Sequence, residues 1–242
     1  MKIEALTDVG LVRKINEDSY YIHNSDGVHY AIVADGMGGH LAGEVASSMA
    51  VSCVREYIDG HPFDDMDVFQ VKELLCRAFR YANEKIYQYS CQNESVMGMG
   101  TTATMCMVRD GNVIYAHVGD SRAYMIDDNI KQITRDHSYV QELVKLGMIS
   151  REEAKHHPRR NQITRAMGVE PVVRVDSGVK PYSGQKLLLC SDGLYGEIDD
   201  SELCEIVSGT DIKTAAKRLM DMATERGGAD NITVIIMEGE SE

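Results

Sequence analysis

Two short apolar runs end in the same dipeptide: Tyr30-Ala31-Ile32-Val33-Ala34 leads into Asp35-Gly36, and Leu187-Leu188-Leu189-Cys190-Ser191 leads into Asp192-Gly193. Runs of this length and uniformity predict strands covered on both faces. Asp120 follows Ala116-His117-Val118-Gly119, and Asp230 stands just before Ile232-Thr233-Val234-Ile235-Ile236. The pattern therefore predicts four carboxylates at strand ends, able to converge at one end of a strand-built core. A carboxylate there is costly to desolvate unless a positive charge meets it.

Elsewhere the spacing becomes helical. Leu41, Val45, Met49, Val54 and Ile58 predict a helix over residues 41–58, ended by Gly60 and Pro62. Leu74, Leu75, Ala78, Phe79, Ala82 and Ile86 predict a second over about residues 68–89. Residues 101–108 and 112–118 flank Asp110-Gly111, a strong hairpin signal, and residues 122–126 and 130–133 form a second hairpin around Asp127-Asp128-Asn129. Adjacent hairpins between helices predict antiparallel sheet in a layered α/β protein, not a repeating βαβ array.

Residues 138–162 are polar and irregular: a short helix to about Leu146, Gly147 as its cap, then Ser150-Arg151-Glu152-Glu153, a capping-box pattern opening another. This reads as a surface excursion. Strands are then expected at residues 172–175 and 186–190, a helix over about 213–226 capped by Thr210 or Asp211, and a last strand at 232–237.

The 242 residues are 43% hydrophobic and 26% charged, enough for one large core, so a single domain over 1–242 is the simplest expectation. The net charge of −13, without a basic stripe, argues against nucleic acid as partner. No apolar run approaches a membrane span, and Lys2, Glu4 and Asp8 interrupt any leader-like start, so a cytoplasmic protein without membrane insertion is expected. Cys53, Cys76, Cys91, Cys106, Cys190 and Cys204 form no C-x-x-C pair and are expected to be buried free thiols of a reducing compartment.

As chemistry, Asp35, Asp192 and Asp230 offer oxygen ligands only, which suits Mg²⁺, Mn²⁺ or Ca²⁺ rather than zinc or copper. A lone Asp-Gly is most simply a solvated turn. Two of them after apolar strands, with Asp230 before a third, shift the balance to a cation site. Near the N-terminus Arg13 precedes Glu17 and Asp18, a cation that can fork onto a phosphate beside acids that can orient water. Other phosphate chemistries fail. No cysteine has an arginine six positions on; Gly38 and Gly43 have P-loop spacing, but Glu44 stands where lysine should; Gly98-x-Gly100-x-x-Ala103 runs into a predicted strand. Asp65-x-Asp67 follows no apolar strand.

Taken together, Arg13-x-x-Asn16-Glu17-Asp18, Val33-Ala34-Asp35-Gly36-Met37-Gly38-Gly39-His40 and Gly100-Thr101-Thr102-Ala103 resemble the bacterial branch of the metal-dependent PP2C (PPM) protein serine/threonine phosphatases. The likeness continues in order through His117-Val118-Gly119-Asp120-Ser121-Arg122, Asp136-His137-Ser138, Thr164-Arg165-Ala166-Met167-Gly168, Ser191-Asp192-Gly193 and Asp230-Asn231-Ile232-Thr233. The resemblance implies an α+β fold, an αββα sandwich of two mainly antiparallel sheets flanked by helices, with a flap at about 138–163.

It also implies two Mn²⁺ or Mg²⁺ ions: Asp35 bridging them, the Gly36 carbonyl on one, Asp192 and Asp230 on the other, and Asp120 with Asp192 at a third position. Asp18 would hydrogen-bond the attacking water, Glu17 would support water ligands, and Arg13 would hold the substrate phosphate. Phosphoproteins would be the substrates, and a Ser/Thr kinase with its targets the partners; a monomer is the default expectation. Met37 departs from members that carry a histidine, proposed as general acid, at that position. His40 reads as part of the turn, not as a replacement. The rival expectations are a non-catalytic phosphoprotein-binding relative and a Ca²⁺-stabilised module, the latter leaving Arg13 without a task.

Overall fold

The computed structural model describes residues 1–25, 27–38 and 42–239. The chain forms two antiparallel sheets, one of them built on β1 (Lys2–Asp8), β11 (Ile232–Glu238), β10 (Lys186–Cys190), β7 (Arg122–Ile126) and β8 (Ile130–Gln132), in that spatial order. The other runs β2 (Asp18–Ser25), β3 (Val28–Met37), β5 (Ala103–Arg109), β6 (Asn112–Val118) and β9 (Asp176–Pro181), with the short β4 (Gly100–Thr101) added to β3.

Why the strands read as unbroken apolar runs is visible in the packing. In β3, Tyr30, Ile32 and Ala34 face the helices α1 (Ala42–Asp59) and α2 (Val68–Gln92), while Ala31 and Val33 join the layer between the sheets. In β10, Leu187 and Leu189 meet that same middle layer, and Leu188 and Cys190 pack under α6 (Asp200–Gly209) and α7 (Ile212–Glu225). Strand alternation thus sends neighbouring residues to two different cores. The result is helix, sheet, sheet, helix, the expected sandwich.

Several expectations hold closely. Ser150 N-caps α4 (Arg151–Lys155) with Glu153 completing the capping box, Asp211 caps α7, and Asp110 and Gly111 adopt positive φ in the β5–β6 turn. The two predicted hairpins are real but lie in different sheets. Three readings need correction. Residues 172–175 are not a strand; pairing starts only at Asp176, opposite His117, and Val172 is exposed. Neither Asp-Gly is a turn: β3 continues through Asp35 and Gly36 because Gly36 pairs with Thr101, and Asp192 opens the one-turn helix α5 (Asp192–Tyr195). All six cysteines are free, but Cys91 is exposed and Cys53 and Cys204 only half-buried. Leu41 and His40 lie outside the described residues.

Candidate metal centre

Register places the candidate residues together. Asp18 begins β2 directly opposite Asp35 in β3. The chain crosses between sheets at Gly119-Asp120-Ser121, so Asp120 sits where β6 ends and β7 begins. Cys190, the last residue of β10, pairs with Arg122 and with Val234, which brings Asp192 and Asp230 to that same end. Asp35 accordingly feels the charges of Asp18, Asp192, Asp120 and Asp230.

The loop bearing Arg13 and Glu17 is tied down by Asn231. Its Oδ1 accepts from the Glu17 N–H at 2.8 Å, and its Nδ2 donates to the Val9 and Ile15 carbonyls, each at 3.0 Å. Leu11 N–H adds a bond to the Gly228 carbonyl at 2.8 Å. Arg13 so positioned donates to Asp230 at 2.8 Å. Glu17 lies against the Gly43 backbone so closely that a β-carbon at Gly43 would overlap its carboxylate. Gly36 is equally enclosed: a β-carbon there would strike the Gly43 carbonyl and stand 2.7 Å from that of Glu17. Only glycine lets β3 pass between these two segments. Met37 ends β3 as a half-buried apolar side chain.

The electrostatics are those of a site short of positive charge. Burial, resisted by the hydroxyls of Thr233 and Ser191 and reinforced by Asp192 and Asp230, pushes Asp18 up to about 7. Burial and the charge of Asp192 push Asp120 up to about 8. Asp192 rises to about 6, through burial first and Asp230 second. Buried carboxylates that repel one another in this way stay ionised together only if a cation offsets their charge. Asp35 is raised well above the usual range, by burial and then by Asp18.

Asp18 Oδ1 and Asp192 Oδ1 are sealed from solvent without a hydrogen-bond partner. Buried orphan oxygens of this kind are rare and call for an ion or water. Among the described residues no three Asp, Glu, His or Cys side chains stand as a group already arranged to hold a metal ion. The donor set nevertheless fits hard divalent cations: all oxygen, anionic, and mutually repelling until neutralised.

Sequence reasoning assigned no role to Ser191, Thr233 or Asn231, although all three lie inside motifs beside assigned ligands. It also missed how residues 138–163 are rooted. His137 N–H donates to the Gly119 carbonyl at 2.7 Å, the Gly119 N–H donates to His137 Nδ1 at 2.9 Å, and Ser138 bridges to Ile163. Both ends of the excursion, which carries α3 (Tyr139–Lys145) and α4 (Arg151–Lys155), therefore meet one residue from Asp120. Neither helix buries a residue.

Known proteins are similar to this chain in sequence and fold. The serine/threonine phosphatase stp of Listeria monocytogenes is 39% identical over 242 residues, spanning 98% of this chain and 96% of that protein. The crystal structure of the serine/threonine phosphatase Stp1 from Staphylococcus aureus superposes with a TM-score of 0.93 at 36% identity, over 99% of this chain and 95% of that one. The catalytic domain of the serine/threonine protein phosphatase PstP, solved in complex with two manganese ions, gives 0.83 at 34% identity, over 97% and 96%. With residues 12–234 matched by the family model described as protein phosphatase 2C, and the two-sheet sandwich carrying its acids at one end, the chain belongs to the protein phosphatase 2C family.

Proposed function

We propose that this protein hydrolyses phosphoserine and phosphothreonine in other proteins, with Mn²⁺ or Mg²⁺ as cofactor and no covalent enzyme intermediate. The observation that carries the reading is the meeting of Asp18, Asp35, Asp120, Asp192 and Asp230 at one end of the sandwich, with charges felt in common and Arg13 beside them. Asp35, the Gly36 carbonyl, Asp192 and Asp230 would hold two cations, and Asp120 with Asp192 a third. Such cations supply Lewis acidity, making water acidic enough to attack near neutral pH and neutralising phosphoryl charge.

The chain's own residues do the rest. Arg13, half-exposed on an anchored loop, offers forked donors to the substrate phosphate. Asp18 presents a free oxygen, Oδ1, to the attacking water. Glu17, held by Asn231 and walled by Gly43, stands where it can orient further water. Met37 offers no proton to the leaving oxygen, so either water supplies that proton or the oxygen departs with less help.

No helix among the described residues is long and apolar enough to cross a membrane. With six free cysteines, a cytoplasmic monomer opposing a Ser/Thr kinase on shared targets is the role we assign. The test is turnover of phosphoserine and phosphothreonine peptides with Mn²⁺, with Mg²⁺ and with EDTA. Hydrolysis that requires the metal is expected. Metal-independent hydrolysis would overturn the reading, and tight peptide binding without turnover under any metal would establish a non-catalytic binding module instead.

A further inference from the structure

Asp18 uses its two oxygens unequally. Oδ2 accepts from Ser191 Oγ at 2.7 Å and from Thr233 Oγ1 at 2.6 Å, whereas Oδ1 is enclosed and free of partners. The donors are themselves held in place. Thr233 Oγ1 lies 2.8 Å from Thr7 Oγ1, Thr7 Oγ1 accepts from Asn16 Nδ2 at 2.9 Å, and Ser191 Oγ accepts from the Thr233 N–H at 2.9 Å. The Thr233 proton is committed to Asp18, so Thr7 must donate to Thr233, and the chain Asn16, Thr7, Thr233, Asp18 runs in one direction.

The clamp also spans the sandwich. Asp18 belongs to the sheet of β2 and β3, whereas Thr7, Thr233 and Ser191 come from β1, β11 and the end of β10 in the other sheet. An aspartate's terminal torsion is soft and roughly two-fold, so nothing in the side chain itself fixes which oxygen points where. Two donors on a single oxygen, one from β11 and one from the residue that follows β10, remove that freedom.

We propose that Thr233 is the positioning residue of this site, acting with Ser191 and backed by Thr7 to fix the Asp18 carboxylate so that Oδ1 alone faces the attacking water. The inference rests on the phosphatase reading above and goes further by naming what orients its water-binding acid. Positioning of this kind acts on the chemical step: it leaves the phosphate grip of Arg13 and the cation ligands in place.

The experiment compares Thr233→Val, which keeps the shape and loses the hydroxyl, with Thr233→Ser, which keeps it, in the full chain. For Thr233→Val we expect kcat on a phosphothreonine peptide to fall about 10- to 100-fold. KM, and the Mn²⁺ dissociation constant measured by calorimetry, should stay within about twofold, and Thr233→Ser should recover kcat to within about threefold. Wild-type kcat in Thr233→Val overturns the proposal. So does a parallel loss of kcat and Mn²⁺ affinity, or a Thr233→Ser variant as poor as the valine one. Should Thr233→Val fail to fold, Ser191→Ala reads the same clamp: a kcat lowered about 10-fold at unchanged Mn²⁺ affinity supports it, and an unchanged kcat overturns it. A wild-type protein without Mn²⁺-dependent turnover removes the phosphatase reading itself, and the proposal with it.

Discussion

Arg13 and Asp230, 217 positions apart in the sequence, meet at 2.8 Å across the mouth of the carboxylate cluster. Their side chains are 48% and 31% exposed, so the pair is a surface ion pair worth at most about 1 kcal/mol. Its weakness suits the proposed roles: Arg13 can turn to a phosphate and Asp230 to a cation without a large penalty. Replacing Arg13 by Ala should therefore leave the melting temperature within a few degrees while lowering kcat/KM for phosphopeptides about 10- to 100-fold, the worth of a charge-assisted phosphate contact. The loss should appear mainly in KM. Steady-state kinetics with calorimetric melting checks it, and an unchanged KM would take the phosphate away from Arg13.

Metal-free stability should depend on pH in a definite direction. Asp18 and Asp120 are raised from 3.8 to about 7 and about 8, so folding favours their protonated forms. Their contribution is complete below the unfolded carboxylate pKa and is lost as pH climbs through the folded values. His117 runs the other way. Burial first, then His137, lowers it from 6.5 to about 4, so its contribution is present above 6.5 and lost as pH falls toward 4. Above pH 6.5 the carboxylates act without that opposition. In EDTA the melting temperature should fall between pH 6.5 and pH 8, and saturating Mn²⁺ should flatten the slope. A rise with pH in EDTA would contradict the repulsive cluster.

Charge removal at Asp192 separates function from stability. Its carboxyl is raised from 3.8 to about 6 by burial and then by Asp230, so at neutral pH it is held ionised against its surroundings. Asp192→Asn should cut Mn²⁺-dependent turnover by about 100-fold or more, by taking away an anionic ligand. The same change should raise the metal-free melting temperature by roughly 2–6 °C, the relief of about 1–2 kcal/mol from the burial of a charge first and its repulsion by Asp230 second. Turnover at saturating Mn²⁺ and melting in EDTA measure the two effects independently. Near-normal turnover at limiting Mn²⁺ would remove Asp192 from the ligand set.

These residues differ in how much the sequence discloses of them. Asp35, Asp120, Asp192 and Asp230 announce themselves because each adjoins an apolar strand, and strand ends gather wherever strands align. That β3 runs on through Gly36 is invisible locally, because it depends on pairing with Thr101, some sixty-five residues later in the chain. The strands β1 and β2 escape notice because each is partly exposed and mixes polar with apolar residues, lacking the uniform runs of β3 and β10. The hydroxyls of Ser191 and Thr233 stand in plain view inside the motifs. Their task emerges only when the second sheet brings them onto Asp18. Contacts between sheets are the part that no local pattern encodes.

The flap offers the last prediction. Residues 138–163 leave the sandwich beside Gly119 and return to it there, one residue from Asp120. That surface is basic and apolar on an otherwise acidic protein: Arg159 stacks on Tyr139 at 3.8 Å, Arg160 is exposed beside it, and Leu146 and Met148 are 69% and 67% exposed. Such a surface suits contact with a protein substrate. Replacing residues 148–160 by a short Gly-Ser link removes α4 and its basic neighbours but leaves the His137–Gly119 root. Hydrolysis of a small aryl phosphate should stay within about threefold, while kcat/KM on phosphoproteins should fall about 10-fold or more and the ranking of substrates should change. Equal losses on both substrate classes would mean that the excursion steadies Asp120 through its root and does not dock the substrate.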